Sequence, residues 1–361
     1  MSATETVKRT PLYDRHVAAG GKIVPFAGYE LPVQYAGIIA ETTAVRNGVG
    51  MFDVSHMARL WFRGERVVEF LEWVTANDIR GLVDGQGHYS LLPNDQGGLV
   101  DDIITYRVDD TTFRMVVNAA NHAKDVAWLH SQNKFGVEIE DETEGTAMIA
   151  VQGPRAAEVL AGISNIPDQL RSAGLFQLSE GTIGGVKCFA PCSGYTGEHG
   201  FELICAASDA GRLWDALLEA GVTPCGLGSR DTLRVEAGLP LYGHELGDDM
   251  SPISAGLGWV IKKDIPYLGS NIIEKARAEG TPTKLQGVRL DAKRLTSPGM
   301  KVFVDGNEVG EVSSGVVSPT LDCGIAFAFL DASVKLKTPC EVDIRGRREP
   351  ATVVSKRFLK G

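Results

Sequence analysis

No stretch of the 361 residues approaches the roughly 18 consecutive apolar residues of a membrane-spanning helix, which argues against a helical channel or carrier. The opening Met1-Ser-Ala-Thr-Glu-Thr-Val-Lys-Arg9 has no apolar centre of the kind a signal peptide carries, so a cytoplasmic location is expected. Cysteine is sparse: Cys188, Cys192, Cys205, Cys225, Cys323 and Cys340. A chain of this length builds enough core to need no disulfide framework. Cys188 and Cys192 lie close together, but no second Cys/His pair at zinc spacing accompanies them, so no metal is expected. Basic residues are outnumbered, 36 Lys and Arg against 46 Asp and Glu, and a net charge of −10 repels a phosphate backbone. Nucleic acid is therefore not the expected partner. Gly-x-x-x-x-Gly-Lys-Ser/Thr and Gly-x-Ser-x-Gly are both missing, which removes the standard phosphate loop and the nucleophile elbow.

What is abundant is glycine, 42 residues, gathered at places such as Gly97-Gly98, Gly184-Gly185 and Gly194 to Gly200. Glycine at such density marks tight corners between short strands rather than a helix bundle. Arg66 to Ala76 places Val67, Phe70, Leu71 and Val74 at helical spacing. His88–Leu92, Leu99–Val108 and Phe113–Asn118 read as a strand meander, with turns at Asn94–Gly98 and Asp109-Asp110. Asn121 is placed to cap a helix through Trp128, and Thr146–Val151 reads as a buried strand. Gly153-Pro154 should open a helix with proline in its first turn. Thr182–Ala190 and Gly200–Cys205 read as strands. Ser208 should cap Asp209–Leu218, and Ser229 should cap Arg230–Ala237 with Gly238 at the C′ position. Interleaved strands and helices predict an α+β fold.

Past Gly280-Thr-Pro-Thr283 the texture changes. Short strands are split by Pro298-Gly299, Asp305-Gly306, Ser318-Pro319 and Arg345-Gly346, and no amphipathic helix interrupts them, which predicts a small β-barrel. Residues 281–361 hold 13 Lys and Arg and 9 Asp and Glu, a net +4, leaving −14 for residues 1–280. That asymmetry fits either solvated faces or a docking patch.

Two carboxylates stand out. Strand alternation from Leu99 puts Val100, Asp102, Ile104 and Tyr106 on one face and Asp101 and Thr105 on the other. If the Asp102 face is buried, desolvation perturbs the carboxylate and suits it to proton chemistry on a bound substrate. The alternative is a polar doublet after a turn, since Asp109-Asp110, Asp141-Glu142 and Asp248-Asp249 are doublets too. In Gly200–Cys205, Phe201, Leu203 and Cys205 share a face while Glu202 points the other way with Ile204. A carboxylate can accept two parallel hydrogen bonds from a ring's N–H beside its NH₂, the edge that guanine and pterin present. An exposed glutamate on a solvated sheet face is the alternative. Arg230, near a helix N-terminus and so against its dipole, hints at an anionic or carbonyl partner. Gly226-Leu-Gly228 resembles half of a dinucleotide fingerprint, without its third glycine or a clear βαβ unit. Ser55 stands beside His56, but sequence neighbours rarely make a catalytic pair, because their side chains diverge on a strand.

Six stretches in register carry a resemblance: Phe52-Asp-Val-Ser-His-Met57, Asn94-Asp-Gln-Gly-Gly-Leu-Val-Asp-Asp-Ile103, Val117-Asn-Ala-Ala-Asn121, Gly194-Tyr-Thr-Gly-Glu198, the run Gly228 to Glu245, and Ser251-Pro-Ile-Ser-Ala-Gly-Leu-Gly-Trp259. Ser313-Ser-Gly-Val-Val-Ser-Pro-Thr320 continues them. Together they resemble the aminomethyltransferases, the T-proteins of the glycine cleavage system, from about Thr10 into the C-terminal segment. The resemblance implies a three-lobed cloverleaf around a central hole that holds tetrahydrofolate. Its lobes would be residues 1–50 with 141–275, residues 51–140, and the barrel at 281–361. It implies transfer of a methylene carbon from the aminomethyl-lipoyl arm of the H-protein to tetrahydrofolate, with release of ammonia, in a system that also uses P- and L-proteins. Asp102 takes the place of the catalytic carboxylate and Glu202 that of the residue holding the pterin's amino edge. Met57, Tyr89, Tyr106, Asn118, Tyr195 and Arg230 match positions lining the folate pocket. No metal, flavin or nicotinamide is implied. His88, Pro93 and His199 depart from the usual pattern at flanking positions only. Related folate-dependent demethylases diverge around Asp101-Asp102, and a folate-binding iron–sulfur assembly protein would carry a cysteine motif that does not match here.

Overall fold

Thr146–Gln152 is a strand with almost no polar position, and the structure buries it on both faces. This computed structural model describes residues 7–262 and 265–359, which gather into two compact units. The first takes Met1–Phe70, Gly81–His88 and Ile103–Arg230; the second takes Leu71–Arg80, Tyr89–Asp102 and Asp231–Gly361. No helix among the described residues is long and apolar enough to cross a membrane.

In the first unit, Thr146–Gln152 lies inside a six-stranded sheet of order Leu178–Ile183, Val186–Pro191, Gly200–Ala206, Thr146–Gln152, Gly50–Asp53, Thr223–Pro224. It pairs antiparallel with Gly200–Ala206, Thr146 opposite Ala206 and Gln152 opposite Gly200. Phe201, Leu203 and Cys205 enter one core with Met51, Ile149 and Val151, as alternation predicts. The helix Ala210–Glu219 covers that core with Ala210, Leu213, Trp214 and Leu217, which recur at helical spacing. A three-stranded sheet has the order Lys8–Arg9, Tyr29–Gln34, Lys22–Phe26. The expected meander is present within a five-stranded sheet of order Gln86–Pro93, Leu99–Asp109, Thr112–Val117, Ala58–Arg63, Glu138–Asp141. Its first two strands contribute residues to both units.

In the second unit, the strands after residue 280 close into a barrel of order Thr283–Leu290, Cys323–Asp331, Asn307–Ser318, Lys301–Val304, Pro339–Ile344, Arg347–Val354. Closure removes unpaired edges. Asp305-Gly306 has φ of 50° and 79°, the left-handed pair that a two-residue hairpin requires. The interior is filled by Val288, Val302, Val312, Ala328, Leu330, Val342 and Val353. The class is α+β with a C-terminal barrel, as the sequence predicts.

Several local expectations need correction. Thr182–Ala190 is not one strand: Gly184 and Gly185, both at positive φ, fold Leu178–Ile183 back on Val186–Pro191. Pro154 precedes its helix, which runs Ala156–Gly162 after a turn. Asn121 stands at the start of His122–Gln132 without a side-chain capping bond. Ser208 is not a cap either, because a 3₁₀ turn at Ala207–Asp209 leads into that helix. Ser229 lies inside Leu227–Ala237, where its hydroxyl donates to the Gly226 carbonyl at 2.8 Å. The C-terminus of that helix behaves as predicted: Gly238 N–H bonds Val235 O and Leu239 N–H bonds Arg234 O, the paired bonds of a Schellman motif. The helix Ser270–Glu279, just before the barrel, was not anticipated from sequence.

Candidate active site

Leu99–Asp109 presents its two faces unequally. Leu99, Asp101, Ile103 and Thr105 are at most 1% exposed, whereas Asp102 and Ile104 are half-buried. The Asp102 face is mixed, since Val100 is 3% and Tyr106 0% exposed, and the fully dry aspartate is Asp101, not Asp102. Asp102 thereby keeps part of its surface exposed. In the second unit the Tyr89 hydroxyl donates to Asp102 Oδ2 at 2.9 Å. The Tyr89 ring stacks beside Trp259, centroids 6.4 Å apart and 24° from parallel, and Trp259 is 68% exposed. Asn77 Nδ2 donates to the Tyr89 carbonyl at 3.0 Å and so fixes the backbone of that partner.

The other predicted positions lie in the first unit. Glu202 is buried, not displayed on a solvated face, because the side of the sheet it shares with Ile204 is covered as well. Burial pushes its carboxyl above the ordinary range, while the Ser193 hydroxyl, donating at 2.5 Å, and the Arg230 charge oppose that rise. Tyr106 is fully buried and its phenol is pushed well above its usual value by burial and by Glu202. Its ring meets Phe189 edge-on at 6.2 Å, and it lies where a Cβ on Gly87 would come within 2.3 Å. That contact explains the glycine.

Arg230 extends its guanidinium to 4.7 Å from the centre of the Tyr195 ring and to 3.8 Å from Met57 Sδ. Met57 is set by its own backbone: the buried Arg59 guanidinium donates to the carbonyls of Ser55, Met57, Thr143 and Thr146. On the other side of this loop, Asp53 Oδ1 accepts the Ser55 N–H at 2.9 Å, and Asp53 Oδ2 accepts from Thr10 at 2.6 Å and lies 2.8 Å from His16 Nε2. Burial alone would raise the Asp53 carboxyl, but these bonds and His16 outweigh it and bring it down to about 2. Asn118 is half-buried directly after Thr112–Val117.

Sequence reasoning did not single out Ser193, Trp259, Arg59 or the buried state of His56. No spacing rule marks the first three, since each acts through a fold contact. Burial, and then the nearby Arg230 charge, push His56 down to about 3, so its imidazole is neutral. The Gly226-Leu-Gly228 pattern also gains an explanation. A Cβ at Gly226 would sit 2.4 Å from the Val33 carbonyl carbon, and the helix start is already occupied by Glu41, which accepts the Gly226 N–H at 2.8 Å and lies 3.1 Å from the Ser229 oxygen. A side-chain carboxylate stands where a nucleotide phosphate would need to be. The six cysteines are buried free thiols.

Within the first unit a buried carboxylate, Glu202, stands with the Tyr195 ring and the Arg230 guanidinium, and within the second a half-buried carboxylate, Asp102, is bonded by the Tyr89 phenol. Comparison with known proteins identifies the family. The GCVT N-terminal domain matches residues 12–265, and the glycine cleavage T-protein C-terminal barrel domain matches residues 284–360. An aminomethyltransferase of Geobacillus kaustophilus is 42% identical over 98% of this chain and 99% of its own length. One from Thermus thermophilus is 44% identical over 98% and 99%. The crystal structure of glycine cleavage system aminomethyltransferase T from Bartonella henselae superposes with a TM-score of 0.91 at 32% identity, covering 98% of each chain. The chain belongs to the glycine cleavage T-protein family. Its activity is aminomethyl transfer.

Proposed function

We propose that the protein takes the aminomethyl group borne on the lipoyl arm of the glycine cleavage H-protein, passes its methylene carbon to tetrahydrofolate and releases ammonia. The products are 5,10-methylenetetrahydrofolate and a dihydrolipoyl arm. Two C–N bonds form, at N5 and N10 of the folate, while one C–S and one C–N bond break. The two hydrogens lost from the folate nitrogens end on the lipoyl sulfur and on the departing amine, so no oxidant is required.

The observation that carries this reading is the Tyr89–Asp102 pair. A half-buried carboxylate held by a phenol on a rigid strand can position the folate N5 and take up or return a proton without being a strong base. Glu202 serves a different end. Its buried carboxylate is suited to the N–H and NH₂ edge of the pterin, whose paired donors replace lost hydration. Met57, Tyr195 and Arg230 supply apolar, stacking and cationic surface to the same ligand, Asn118 supplies an amide, and the fully buried Tyr106 backs that lining from behind. The partner proteins are the lipoylated H-protein and, through it, the P- and L-proteins.

The test is ammonia release from aminomethylated H-protein, with and without tetrahydrofolate. Release that requires both components supports the proposal. Turnover of a small methylated amine or sulfonium without H-protein would instead indicate a folate-dependent demethylase. Folate binding with neither reaction would indicate a binding module.

A further inference from the structure

The turn that leads into Asp102 is fastened to a segment distant in sequence. Asn94 Oδ1 accepts the N–H groups of Gln96 and Gly98 at 3.0 and 2.9 Å, and Asn94 N–H bonds Gly98 O at 3.0 Å. These bonds shape the turn. The Asn94 Nδ2 donates outward, to the Asp248 carbonyl at 2.8 Å. Approach here is so close that a Cβ on Gly98 would fall 1.7 Å from that same oxygen.

Leu99, the first residue of the strand, is then held at both of its backbone polar groups. Its N–H bonds Gly247 O at 3.0 Å, and its carbonyl accepts from the Tyr242 hydroxyl at 2.9 Å. The Tyr242 oxygen also lies 3.1 Å from Asp248 Oδ2. The holding segment is itself rigid. Gly243 N–H bonds Leu246 O at 2.8 Å, and the buried Glu245 carboxylate accepts from Leu241 N–H and from Arg234, each at 3.0 Å. Leu91, Leu99 and Leu246 share one fully buried core.

We propose that Tyr242 is a positioning residue for Asp102, its hydroxyl fixing the Leu99 carbonyl and with it the height and register of the strand that carries the carboxylate. This rests on the reading of Asp102 as the reacting group. The physical basis is the stiffness of a strand, in which side chains three residues apart move together and a one-residue slip reverses every face. Catalytic groups misplaced by about 1 Å lose up to about a hundredfold in rate. The apolar core here is complete without the hydroxyl, so the oxygen serves the backbone of Leu99 and not the filling of space.

The experiment uses the full chain with aminomethylated H-protein. Tyr242→Phe keeps the ring and removes the one oxygen. The expected result is a kcat lowered about tenfold, a tetrahydrofolate KM within about twofold of the parent, and an unchanged circular dichroism spectrum. Asn94→Asp, which keeps the single turn-forming acceptor oxygen and loses the donor to Asp248, should lower kcat in the same way and by less. Asp102→Asn is run alongside. If it is inactive and Tyr242→Phe and Asn94→Asp both keep parental kcat, the positioning role is overturned while the reading of Asp102 stands. If Tyr242→Phe changes kcat and KM together with a large fall in melting temperature, the hydroxyl is only structural and the inference fails. If Asp102→Asn turns over normally, the underlying reading fails, and the inference with it.

Discussion

The carboxylates of Asp102 and Glu202 occupy opposite kinds of environment. Glu202 is 4% exposed and raised by desolvation, with a serine hydroxyl as its near neighbour. Asp102 is half-buried, bonded by a phenol, and preceded by a turn anchored at several points. A group that only binds gains from dryness, because a hydrogen bond in low dielectric is stronger and an unsatisfied one is costly. A group that must meet a reacting nitrogen and exchange a proton needs access and a fixed direction instead. Under the function proposed above, Glu202 is the group for recognition and Asp102 the group for reaction.

The sharpest way to break this contrast is Asp102→Asn. We expect ammonia release to fall by about a hundredfold or more, with tetrahydrofolate affinity within about threefold of the parent by fluorescence titration. A variant that loses binding and keeps turnover would reverse the two roles. Glu202→Ala should do the opposite, weakening tetrahydrofolate binding by about 1–3 kcal/mol while kcat at saturating folate stays within about threefold. Equal titration curves for variant and parent would remove Glu202 from recognition.

Acid should act next on the first unit, which carries Glu202, through two buried groups of one loop. His56 is held neutral in the fold, down to about 3 against an ordinary 6.5. Its folded value is depressed, so the unfolded chain takes up the proton first and stability falls as pH drops from about 6.5 toward 3. The slope contributed is at most about 1.4 kcal/mol per pH unit, measurable as urea midpoints across that window. His56→Gln should flatten it. Asp53, brought down to about 2 from 3.8, loses its stabilising contribution only below about pH 4, so the two effects separate on the pH axis. The smallest expected effect is that of Ser193→Ala, about 1 kcal/mol of tetrahydrofolate affinity through loss of the hydroxyl beside Glu202. An unchanged affinity would show that the serine supports only the free protein.

Much of the fold is legible in the sequence. The meander, the split of Phe201, Leu203 and Cys205 from Glu202, and the barrel's Asp-Gly hairpin follow from period and turn chemistry. The Gly238 cap follows from the left-handed preference of glycine. Less legible was the state of each site group. Asp102 looked like the group to be desolvated, and Asp101 beside it is the dry one. Glu202 looked as much like a surface residue as a buried one. Ser193 and Tyr242 act on residues 9 and 143 positions away, and Arg59 ties the Met57 carbonyl to that of Thr143, 84 positions from itself, pairings that no local pattern records. Capping assignments failed at Ser208 and Ser229 for a related reason, since 3₁₀ turns and an early helix start are set by packing as well as by the capping side chain.

The sequence by itself determined the alternation of faces, the corners, the barrel and, through six ordered stretches, the family. Only the tertiary structure decided which face was covered, which carboxylate lost its water, and which distant hydroxyl steadied the strand. Periodicity is a property of neighbours along the chain, whereas desolvation depends on what the rest of the chain folds against them.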